Sequence, residues 1–70
     1  MDRELKALLA ALDQAATEVA DLTITYGRIW QGFEKCFMPA DSNIWVNRWR
    51  GMQELEKEIE ATIKEIRDEQ

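Results

Sequence analysis

This 70-residue chain has no histidine, one cysteine and one serine, and each shortage closes a class of function. Without histidine a conventional zinc site cannot be assembled. The usual general base at neutral pH is missing too, so Ser42 has nothing to activate it. A lone Cys36 cannot close an intrachain disulfide. There is no glycine-rich phosphate loop, and the longest purely apolar stretch, Ala7–Leu12, is too short for a span or a signal core. Asp2 and Glu4 precede that stretch and Asp13 follows it. Nothing in the chain supplies catalysis, a cofactor or a metal, and the unpaired cysteine fits a reducing, cytoplasmic setting. Below roughly 70–80 residues a lone core is a few kcal/mol from unfolding, and disulfides, metals or oligomers commonly help. With the first two gone, a partner chain remains.

What is present is helical periodicity. In alternating steps of four and three, Leu5, Leu9, Leu12, Ala16, Val19, Thr23, Tyr26, Trp30, Phe33 and Phe37 form one ladder, the pattern of a long helix supercoiled against a neighbour. A second ladder runs from Ile44 or Trp45 through Trp49, Met52, Leu55, Ile59 and Ile63 to Ile66. The sequence therefore predicts an all-α, antiparallel two-helix hairpin, one domain over residues 1–70, with helices over about 2–37 and 43–68. Asp2 suits the start of the first helix. Three β-branched residues and Gly27 weaken the stretch Leu22–Gly27, where a kink could fall. The ladder keeps its phase across it, which favours one continuous helix. Pro39 should end the first helix by Met38. The turn is expected over Pro39–Asn43, with Asp41, Ser42 or Asn43 capping the second helix.

A turn centred near Ala40 sets residue i beside about 81 − i. Phe37 would then meet Ile44, Tyr26 would meet Leu55, Leu22 would meet Ile59, and Trp30 would lie over Gly51. The same register leaves Leu5, Leu8, Leu9 and part of Leu12 without a partner inside the chain, over roughly 15 Å of helix. Leaving them wet forgoes several kcal/mol of burial. A parallel ladder, Leu8, Ala15, Leu22, Ile29 and Cys36, widens the apolar stripe beyond what one neighbour can cover. A second copy completing a four-helix bundle, or a groove on another protein, would cover both.

The aromatic residues Tyr26, Trp30, Phe33, Phe37, Trp45 and Trp49 gather at the loop end. They form either a packed core end or a recognition patch, and Arg48, Trp49 and Arg50 are the candidate contact residues. Their interleaving of bases and rings can stack on single-stranded nucleic acid. The net charge of −5 opposes that, however, and two arginines make a small footprint. From Gln53 to Gln70 there are seven acids against three bases, read as a solvated face supported by Glu60–Lys64 pairing. Glu54 with Glu58, and Glu56 with Glu60, share faces but lack the histidine that bundle metal sites use. Cys36 reads as a small core residue.

Trp30-Gln31-Gly32 and Trp49-Arg50-Gly51 each spell W-x-G, and so resemble the tripeptide of the small helical-hairpin proteins exported by type VII secretion. In that family the tripeptide makes the turn between helices, whereas here the turn falls at Pro39–Asn43. The tail Ile66–Gln70 also lacks the tyrosine of the export signal. The expectation is therefore a non-catalytic protein-binding module, with Leu5, Leu8, Leu9, Leu12, Arg48, Trp49 and Arg50 as contact residues. It would bind itself, as a homodimer, or a larger protein that it regulates or inhibits. Small acidic chains of this composition are common among phage and mobile-element inhibitors. The alternatives are a structural bundle subunit and an exported W-x-G-like hairpin.

Overall fold

A computed structural model describes residues 2–69. It shows the all-α hairpin: α1 over Arg3–Lys35 and α2 over Pro39–Asp68, packed along their length in a body 52 × 15 × 11 Å. The Asp2 carboxylate caps α1 by accepting the Leu5 N–H at 2.9 Å, which satisfies one of the four unpaired donors at a helix start. The helix runs unbroken through Leu22–Gly27. Thr23 and Thr25 turn their hydroxyls onto the Val19 and Asp21 carbonyls, so their polar groups are satisfied within the helix.

The turn lies earlier than the sequence suggests. The chain reverses over Cys36-Phe37-Met38, and Pro39 is the first residue of α2 rather than the start of a loop. At that position the missing N–H costs nothing and the fixed φ is already helical. Met38, restricted by the following proline, takes φ −114°, ψ 74°. Asp41, Ser42 and Asn43 are therefore inside the helix and cap nothing. Ser42 is instead buried, and its hydroxyl donates to Glu34 across the hairpin.

The earlier turn slides the register near the tip by about five residues, and by only about one at the far end, where Arg67 reaches Asp13. Glu34 bonds Ser42 and Gly27 lies against Trp49, so residue i on α1 faces about 76 − i on α2 near the tip. The expected partners change accordingly. Tyr26 meets Trp45, ring to ring at 5.4 Å and edge-on, rather than Leu55. Trp30 tilts against Trp49 at 5.6 Å, and the space above Gly51 is open. The glycine that admits a ring is Gly27, where an added Cβ would come within 3.2 Å of Trp49 Nε1. In α2 the inward steps are Ser42, Trp45, Trp49, Met52, Glu56, Ile59, Ile63 and Ile66, with Leu55 and Ile44 turned outward. Both W-x-G tripeptides sit inside helices and neither makes the turn.

The start of α1 is covered all the same: Leu9 is buried at 6% exposure, with Leu5 and Leu12 half-buried. Of the four leucines expected to lack a partner, only Leu8 stands out, at 49%.

Candidate protein-binding surfaces

Large apolar side chains are exposed at the tip, along one broad face and, singly, at Ile24. The tip is the first surface. Here α1 ends in a paired motif: the Phe37 N–H donates to the Glu34 carbonyl and the Met38 N–H to the Phe33 carbonyl, at 3.1 and 3.0 Å. This is the Schellman arrangement, whose pivot residue must take a left-handed backbone. Glycine is the usual occupant because any Cβ crowds the following carbonyl. The pivot here is Phe37, at φ 57°, the one non-glycine residue with positive φ among those described. Its ring is 91% exposed, beside Met38 and Pro39. It does not pack on Ile44, as the ladder suggested. Cys36, expected in the core, is exposed beside it.

No glycine lies between Gly32 and Gly51. A left-handed helix end in that interval therefore falls on a residue with a side chain. That shortage, together with Pro39 read as a helix start, is the signal that singles out Phe37.

Below the tip, Arg48, Trp49 and Arg50 do not form one patch. Trp49 is half-buried over Gly27 and against Trp30. Arg48 is exposed, with its guanidinium stacked 4.6 Å from the centre of the Trp45 ring, a cation–π contact that holds it over the aromatic layer. Arg50 points to solvent.

The second surface is a broad face of the hairpin. In heptad terms Leu8, Ala15, Leu22, Ile29 and Cys36 flank the α1 seam on one side, and Arg48 and Leu55 flank the α2 seam on the same side. Leu8, Leu22 and Leu55 are 49%, 42% and 38% exposed. Near the tip this face dips into a hollow lined by Ile29, Gly32, Phe33, Cys36 and Met38. The opposite face is polar. Arg67 reaches Asp13 at 3.1 Å across it, beside a groove of about 540 Å³ lined by Thr17, Glu60, Ile63 and Lys64 among others. The expected Glu60–Lys64 pair is not formed among the described residues; Lys57 meets Glu54 at 3.9 Å instead.

Among the described residues no group of three or more His, Cys, Asp or Glu is placed to hold a metal ion, and no helix is long and apolar enough to cross a membrane. The groove holds carboxylates, amines and a threonine but no thiol, serine or imidazole. The described surface displays the Phe37 ring, aliphatic side chains and an uneven distribution of charge. No family model, curated protein or solved structure matches this chain.

Proposed function

We propose that this hairpin is a non-catalytic protein-binding module that inserts Phe37 into an apolar pocket of a larger protein, regulating or blocking it. The observation that carries this reading is the conformation of Phe37. A phenyl ring on a residue 91% exposed adds little to the fold, and its left-handed backbone costs about 1–2 kcal/mol that glycine would avoid. Strain of this kind that stability does not explain points to function. A rigid aromatic at the end of a helical rod also has the form of an interface anchor. Met38 at 43% exposure and the stacked Arg48 supply flanking apolar and cationic contacts.

The test compares the wild type with Phe37→Ala and Phe37→Gly in affinity capture from the lysate of its source cells. A stoichiometric partner that the wild type retains, and both variants lose while keeping full helicity, supports the proposal. A partner held equally by all three removes Phe37 from the interface.

A further inference from the structure

We infer that the broad apolar face binds a second copy of this chain, antiparallel, on a two-fold axis passing beside Leu22. This deepens the reading of the chain as a protein-binding hairpin but uses a different surface from the tip, so either can fail alone.

Three observations select the occupant and its direction. The first is the side-chain series itself. Leu8, Ala15, Leu22, Ile29 and Cys36 recur every seven residues, the repeat that keeps one ridge facing a supercoiled neighbour. Reversed about Leu22, the series is complementary to itself: Ala15 meets Ile29, Leu8 meets Cys36, and Leu22 meets Leu22. A small residue falls opposite a larger one at both flanking levels, as close packing requires, and self-complementarity is what a two-fold interface demands. Leu55 lies at the level of Leu22, so the two copies together would bury four exposed leucines at the axis.

The second observation is charge. Residues 22–50, the half nearest the tip, carry four bases and two acids, and the other half carries twelve acids and five bases. Side by side in parallel, the two acidic ends would repel. Antiparallel, each basic tip lies over the other copy's acidic end, with Arg28 and Arg48 near the level of Glu18 and Glu58 of the second copy. Complementary ends of this kind fix direction and suppress the wrong pairing.

The third is area. A face 52 Å by 15 Å offers on the order of 800 Å² per copy, the per-partner size of a standard specific interface. The polar face, crossed by the Asp13–Arg67 pair, has no comparable apolar ridge. The product is a four-helix bundle of two hairpins.

The native Cys36 makes the geometry testable. In the antiparallel pair two Cys36 thiols lie about 40 Å apart, at 1.5 Å per residue on either side of the axis. The cysteine introduced by Leu8→Cys falls opposite Cys36 of the other copy, and equally far from Cys36 of its own. Mild oxidation with copper phenanthroline should link Leu8→Cys chains between position 8 and Cys36, mapped by peptide mass spectrometry, and leave the wild type unlinked. In a Cys36→Ser background, Leu22→Cys should link to itself. Sedimentation equilibrium should show a wild-type dimer that Leu22→Glu weakens by roughly a hundredfold or more, through two like charges at the axis, with unchanged helicity. Cys36–Cys36 linkage as the main product, no gain of linkage in Leu8→Cys, or a monomeric wild type would each overturn the inference. Retention of the tip's partner by Leu22→Glu would show that the docking reading survives that failure.

Discussion

Replacing Phe37 by glycine should stabilise the protein, an unusual result for deleting an aromatic side chain. At φ 57° the Cβ of Phe37 crowds its own carbonyl, at a cost of about 1–2 kcal/mol. Glycine removes that strain but frees the unfolded chain, which takes back about 0.5–1 kcal/mol. The ring is 91% exposed, so its loss forfeits little burial. The net expectation is a gain of up to about 1.5 kcal/mol, centred near 0.75 kcal/mol, or roughly 3–6 °C in melting temperature for a domain of this size. Phe37→Ala keeps the Cβ and the strain and should move stability by less than about 0.5 kcal/mol. Asparagine, which tolerates the left-handed region, should fall between glycine and alanine. Urea unfolding followed by far-ultraviolet circular dichroism, at one protein concentration and with an unchanged slope, measures all three. A glycine variant less stable than the wild type would mean that the ring packs on the fold. Equal effects of glycine and alanine would mean that no strain is relieved.

Leu9→Ala should cost about 2–3 kcal/mol because Leu9 is buried, while Leu8→Ala, one residue away and half exposed, should cost less than about 1 kcal/mol. Equal costs in thermal melts of dilute protein would restore the expected overhang. Gly32→Ala and Gly51→Ala add a Cβ into open space within helices and should each gain up to about 1 kcal/mol. Gly27→Leu drives side-chain atoms into Trp49 and should lose about 1–3 kcal/mol, with a changed tryptophan fluorescence spectrum. Ser42→Ala removes the cross-hairpin hydrogen bond to Glu34 and should cost about 0.5–1.5 kcal/mol in chemical unfolding. A neutral result there would show that the pair does not hold the register.

The sequence alone determined the class and the inward face of α1. A ladder from Leu5 to Phe33 can be buried only by a helix packed against a neighbour, and the burial along α1 follows it step for step. The N-cap at Asp2 was equally legible, because a capping carboxylate acts within one turn of its own position. The turn was not. Pro39 has two local readings, as a helix breaker or as a first helical residue, and propensity does not choose between them. Tertiary packing chose the second, because Gly27 leaves room for Trp49 and the Ser42 hydroxyl reaches Glu34 only in that register. From that choice follow the outward turn of Leu55 and the strained pivot at Phe37. Periodicity fixes which side of a helix faces inward but leaves the position along the helix axis free. Where each side chain lies along that axis is decided by contacts between residues far apart in the chain.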